Sequence, residues 1–181
     1  MPVEGHESRK GKVMIDGEQA TITFRRILHH PPELVWEAIT DPVELKGWLM
    51  CSFAKIEART GGSIEMVSGP AQYHVKGKIL VWDPPKVYEH EWKVDPVAEM
   101  PHGEDAIFRY ELTREGDATL LTVTYRRLSR RTAGGFAPGA HALLDRLAAQ
   151  LDHQPLPDWM SRFKEHLIYY PEWSEKTKTQ T

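Results

Sequence analysis

The stretch GGFAPGAHALLDRLAAQL, from Gly134 to Leu151, limits what this chain can fold into more than any other segment. Gly134 and Gly135 loosen the backbone and Pro138 brings the φ of a first helical turn; no glycine or proline follows Gly139 within the run, so a helix is expected from near Pro138. Ala140, Leu143, Leu144, Leu147, Ala148 and Leu151 recur at helical spacing, with Asp145, Arg146 and Gln150 on the other side. Burial of the four leucines contributes roughly 6 to 12 kcal/mol as an upper bound, which is large beside the net stability of a domain. Such a helix needs a receiving surface, and the segments upstream have to supply it.

They read as a sheet. Val13 to Ile15, Asp16-Gly17 and Ala20 to Leu28 predict a hairpin leading into a long strand, with Ile22, Phe24 and Arg26 on one face. In HHPPELVWEAITDPVELKGWL, Pro32 opens a short helix with Val35, Trp36 and Ile39 as its apolar stripe. Asp41, Pro42 and Glu44 supply the cap, first-turn proline and capping-box partner of a second, whose apolar side is Leu45, Trp48 and Leu49. Strands are expected over Ser52–Ala58, Gly62–Val67, Tyr73–Trp82, Val87–Val94, Ala106–Thr113 and Thr119–Leu128. In the fourth of these, Tyr88, His90 and Trp92 alternate with Glu89, Glu91 and Lys93, which predicts an aromatic inner face and a charged face in water. Phe108, Tyr110 and Leu112, then Leu121, Val123 and Tyr125, are the inner sets of the last two strands, and Ser129 to Thr132 is a connection. After a proline-broken segment, Asp158 caps a further helix in which Trp159, Phe163, Leu167 and Tyr170 form a second stripe. That stripe either packs back on the domain or serves as a dimer contact or lid. The chain therefore divides into a flexible arm (1–11), one α+β domain (12–152), an extra helical segment (153–173) and a disordered tail (174–181).

At 181 residues, one domain with arms fits better than two. A net charge of −3 gives no electrostatic reason to expect nucleic acid or a membrane as partner. No apolar run approaches the roughly 20 residues of a membrane span, and MPVEGHESRKGK has no signal-peptide core, so a cytoplasmic location is expected. The single cysteine, Cys51, excludes an internal disulfide and reads as a small buried apolar residue.

A strand, two short helices, an antiparallel meander and a long helix together resemble the helix-grip fold of the START-like superfamily. More narrowly, ELVWEAITDPVELKGWL, DPPKVYEHEW and HALLDRLAAQL resemble the Hsp90-ATPase-activator-homologue (AHSA) family in its small bacterial form, over roughly residues 18 to 152. The resemblance implies a sheet of about six to seven strands curled around the long helix, with an elongated cavity between them closed at one end by the short helices. It also implies binding of a small hydrophobic or aromatic molecule. Alternatives are a chaperone-associated interaction module tied to the stress response, and a cyclase or hydrolase of aromatic substrates. Two departures are visible: the additional helix past residue 152, and Ala140 where relatives often carry an aromatic residue. The second predicts a larger cavity.

Carried onto this chain, the resemblance implies a cavity lining drawn from Trp48, Phe53, Met66, Ile79, His90, Trp92, Phe108, Tyr110, Val123, Tyr125, His141 and Leu144. Each aromatic here also serves as core, and a chain with six tryptophans needs aromatic core somewhere. His90, between Tyr88 and Trp92, must find a hydrogen-bond partner or meet solvent in a cavity. His141 and Asp145, four apart, have the spacing of an oriented imidazole and carboxylate, an arrangement equally common on exposed helix flanks. His29-His30 lacks a third ligand nearby, and there is no zinc signature, phosphate-binding glycine loop or serine triad order. No metal or cofactor is therefore expected. Any acid–base chemistry would fall to His90, Tyr110 or His141.

Overall fold

The computed structural model describes residues 9–171; the predicted tail and most of the arm lie outside these. Two strands open the chain, β1 (Lys12–Asp16) and β2 (Gln19–Leu28), followed by helices α1 (Pro32–Thr40) and α2 (Pro42–Leu45). Six strands then run as a meander: β3 (Phe53–Ile56), β4 (Ser63–Ser68), β5 (Tyr73–Asp83), β6 (Val87–Val94), β7 (Glu104–Glu115) and β8 (Ala118–Ser129). Helix α3 (Arg130–Leu151), helix α4 (Trp159–His166) and a 3₁₀ turn over Leu167–Tyr169 complete it. The eight strands form one antiparallel sheet in the order β1-β2-β8-β7-β6-β5-β4-β3, one or two more than expected. This is the α+β helix-grip fold.

The hairpin turns where the sequence places it. Asp16 pairs with Gln19, and Gly17 takes the positive φ of 60° that such a two-residue turn requires. The register slips between Ala20 and Ile22 against β8, and again between Ile79 and Val81 against β6. Such bulges sharpen twist, and the sheet wraps round α3 instead of lying flat against it. Inner faces follow the predicted alternation: Ile22 and Phe24 on β2, Phe108, Tyr110 and Leu112 on β7, and Leu121, Val123 and Tyr125 on β8 are all buried. The outer face departs from it at Glu89, which is buried and accepts from Arg109 (3.0 Å) and Arg126 (2.9 Å), whereas Glu91 is partly and Lys93 fully exposed. Burial works to raise the Glu89 carboxyl, but the two arginines outweigh it and hold it below the ordinary range.

Helix α3 begins two turns earlier than the proline predicts. Ser129 caps it by accepting from the Thr132 N–H, and the buried Glu104 carboxylate binds Ser129 N (2.6 Å), Ser129 Oγ (3.0 Å) and Thr132 Oγ1 (2.6 Å). This anchoring, with Ala133 and Ala137 buried, carries the helix through both glycines and Pro138. The polar side of α3 is not a solvent face either. Gln150 accepts from the Trp48 backbone N–H (2.7 Å) and donates to Glu44 O (2.9 Å) and Glu44 Oε2 (2.8 Å). Arg146 donates to the carbonyls of Trp48 (3.2 Å), Gly47 (3.1 Å) and Pro157 (2.7 Å). Glu44 therefore meets Gln150, where a capping-box partner was expected. Asp41 does cap α2, accepting from Val43 N at 2.8 Å.

Helix α4 packs on α3. Asp158 caps it, Trp159 stacks on Phe163 and donates its indole N–H to Gly139 O (3.1 Å), and Tyr170 is buried. Leu167 is exposed, and the inward position falls to His166, since the helix ends there and the 3₁₀ turn rotates the residues that follow. Among the described residues no helix is long and apolar enough to cross a membrane.

Candidate functional site

The inner face of β6, β7 and β8 is a block of rings stacked on one another. Trp92 lies on Phe108 (4.9 Å between centroids), Tyr88 on Tyr110 (5.8 Å), and Tyr125 meets Phe108 edge-on (4.6 Å). Phe136, from the part of α3 that the sequence reading left outside the helix, closes on Trp92 (5.8 Å), Phe108 (5.6 Å) and Tyr125 (4.9 Å). Phe136 thus occupies the room beside Trp92, and an earlier helix start was the signal for it.

His90 is buried in this block and its Nδ1 bonds to Glu91 O at 2.8 Å. Burial holds its imidazole down to about 4, against the pull of the Glu91 carbonyl and the Glu89 charge, so the ring is neutral at pH 7. Tyr110 is buried and its phenol is pushed up by burial. Trp48 gives its indole N–H to Ala38 O (2.8 Å), pinning α1 to the loop after α2. Met66, Ile79 and Val123 are buried on the same inner face, while Phe53 is 46% exposed on the edge strand β3. The Cys51 thiol is pushed up to about 12 by burial and stays protonated at neutral pH, a poor nucleophile.

An open space lies between β2 and α3. A cavity of about 400 Å³ sits between the second half of β2 and the C-terminal half of α3. Leu28, Leu120, Leu144 and Ala148 give it apolar walls; Arg9, Arg25, Arg26, Asp145 and Asp152 give it charge. Of the expected lining residues, Leu144 is the one that borders it. Ala140, though buried, does not, so the missing aromatic side chain is not what opens this space. β1 pairs with β2 only as far as Thr23, which leaves the edge of β2 beyond it open beside the cavity.

Behind this cavity lies a polar cluster inside an otherwise apolar interior. Asp145 bonds to His166 Nε2 at 2.6 Å, so its partner comes from α4, and not from His141 one turn before it. The His141 and His166 rings stack at 3.6 Å, within 12° of parallel. His141 Nδ1 meets the Tyr170 hydroxyl at 3.1 Å, and that oxygen accepts from the Gly11 N–H at 2.8 Å. Burial works to raise the Asp145 carboxyl, but the His166 hydrogen bond and the charges of His141, His166 and Arg26 outweigh it and hold it low. His166 Nδ1 is buried with no hydrogen-bond partner among the described residues. His141, Asp145 and His166 each offer a donor atom within 4.8 Å of the others, the number and type that a divalent transition metal accepts. As placed, Asp145 is engaged with His166 and parallel rings do not aim their lone pairs at one point, so coordination requires one ring to tilt. His30 is bound instead to Asp152, at 2.7 Å.

The family model described as activator of Hsp90 ATPase homolog 1-like protein matches residues 29–152, from the end of β2 through α3. The chain belongs to that family. CalU16 from Micromonospora echinospora, of solved structure, is 24% identical over 91% of this chain and 94% of its own, with a TM-score of 0.68. A conserved protein of unknown function from Enterococcus faecalis is 15% identical over 97% of this chain and 95% of its own, at 0.70. A Mesorhizobium loti protein is 23% identical over 75% and 99%, at 0.65. At these identities the likeness establishes the fold. No curated protein matches. Arg26 and His166 lie outside the matched span, on elements that flank it.

Proposed function

We propose that this protein binds a small, largely apolar molecule in the cavity between β2 and α3. The observation that carries the reading is the cavity itself: about 400 Å³ with aliphatic residues from β2, β8 and α3 in its walls, within the size range of small-molecule pockets. Its place between sheet and long helix is where the family resemblance puts a ligand. The aromatic block around His90, Trp92 and Tyr110 is the inner wall that a longer ligand reaches by displacing Phe136. Native mass spectrometry and thermal shift with a series of linear alcohols test the reading. Octanol or decanol is expected to raise the melting temperature of the wild type and not that of Ala148→Phe, whose ring fills the cavity from a half-buried position. If no apolar compound shifts the wild type, the reading fails.

A second reading follows from the family description: activation of a chaperone ATPase through the charged outer face of the sheet, where Glu89, Arg109 and Arg126 form a linked array. Stimulation of Hsp90 ATPase by the protein, lost on Arg109→Glu, is its test.

A further inference from the structure

Arg26 is the exception on the inner face of β2, where Ala20, Ile22, Phe24 and Leu28 are its apolar companions. It is 7% exposed and borders the cavity. Its Nη1 donates to the Arg25 carbonyl at 3.0 Å and its guanidinium lies over the Phe24 ring, but Nη2 is buried without a hydrogen-bond partner among the described residues. Among the described residues no carboxylate lies within ion-pair distance of it; Asp145, whose charge acts on it, is hydrogen bonded to His166. Burial without a full set of partners lowers the tendency of Arg26 to stay charged. A methionine of similar length would fill the place at lower cost, so the guanidinium stands there against stability. Arg9, Arg25 and Arg26 face two carboxylates, Asp145 and Asp152, each already hydrogen bonded to a histidine. Counted by guanidinium and carboxylate groups, the cavity is short of one negative charge.

We infer that the ligand of this cavity is an amphipathic monoanion, a carboxylate on an apolar body, and that Arg26 is its anchor. The inference rests on the proposed cavity binding and specifies its ligand class. Nη2 is shielded from the cavity as placed, so a carboxylate pairs with it once the guanidinium turns off the Phe24 ring; the carboxylate supplies the missing charge, and its chain lies along Leu28, Leu120, Leu144 and Ala148. A dianionic phosphate overshoots, since Asp145 and Asp152 repel the second charge. β2 lies before the span that the family model matches, so the anchor stands on a strand outside that span.

Octanoate, octanol and octyl phosphate, of equal chain length, separate the possibilities by titration calorimetry on the full chain at pH 7.5. Octanoate is expected to bind about tenfold or more tighter than octanol, equivalent to about 1.4 kcal/mol. In Arg26→Met that ratio falls to about twofold or less, and thermal stability stays level or rises. Arg26→Lys, which keeps the charge and loses the fork, retains part of the preference, and it serves as the reading if the methionine variant is unfolded. Equal binding of octanol and octanoate overturns the anchor and leaves the cavity reading standing. Octyl phosphate binding tighter than octanoate overturns the monoanion. If none of the three binds, cavity and anchor fall together.

Discussion

A histidine on the inner face of a strand has to exchange its hydration for one or two hydrogen bonds, and His90 shows the consequence. Its Nδ1 reaches the Glu91 carbonyl, and burial keeps the ring neutral down to about pH 4, whereas an unfolded chain protonates it near its ordinary value of about 6.5. Between those two values the unfolded state binds the extra proton, so stability rises with pH across that window and is lost as pH falls through it. The size of the shift corresponds to about 3 kcal/mol. Urea unfolding at pH 4 and at pH 7 is expected to show that loss in the wild type and a clearly smaller one in His90→Phe; equal losses would remove His90 as the cause. The alternation of β6 made the inward place of His90 legible in the sequence. It could not show that Glu89, on the opposite face, is buried, because the burying arginines come from β7 and β8, far along the chain. The same holds for Asp145: the i, i+4 spacing to His141 was visible, but its partner His166 lies in a different helix.

At the level of elements, α3 is held by side chains that a helical wheel assigns to solvent. Leucine periodicity identifies the helix and its buried side, whereas Arg146 and Gln150 look like surface residues until the loop after α2 is seen folded over them. The helix start was misread for a related reason. Pro138 and two glycines are local signals for a first turn, and the signal that overrides them is Glu104, which ties Ser129 and Thr132 together from another strand. Phe136 and its place over Trp92 went unread with it. The Gln150 clamp yields a quantitative expectation. Gln150→Ala leaves the partly buried Trp48 N–H without its acceptor and is expected to cost about 2 kcal/mol. A Cβ added at Gly47 would collide with Gln150 Oε1, so Gly47→Ala breaks the same clamp from the other side. Chemical denaturation of the two single variants and the double variant is expected to show strong non-additivity, with Gly47→Ala far less costly in the Gln150→Ala background. Additive losses would mean that the two residues do not act through one contact.

Across the whole molecule, the grip of sheet on helix leaves one flank of α3 for later segments to cover, and α4 covers it. The family match ends at residue 152, so the covering lies beyond the matched span. Its contacts include Trp159 to Gly139, His166 to Asp145, and Tyr170 to both His141 and Gly11. The last ties the end of the described chain to the segment that enters β1, beside Arg9 at the rim of the cavity. A chain stopped after Gln154 keeps all eight strands and α3, and so is expected to unfold in one cooperative transition. It loses a charge-assisted hydrogen bond worth about 1.5 to 3 kcal/mol and the burial of an indole worth about as much, so a fall of about 3 to 5 kcal/mol in urea is expected. Losing Tyr170 also frees the segment around Gly11, so hydrogen exchange in the truncated chain is expected to speed up over Lys10–Met14 while the amides of β7 stay protected. An unchanged unfolding midpoint would show that α4 rests on α3 without supporting it. Faster exchange spread evenly over the sheet would show that it supports the whole grip, and not only the flank where the cavity opens.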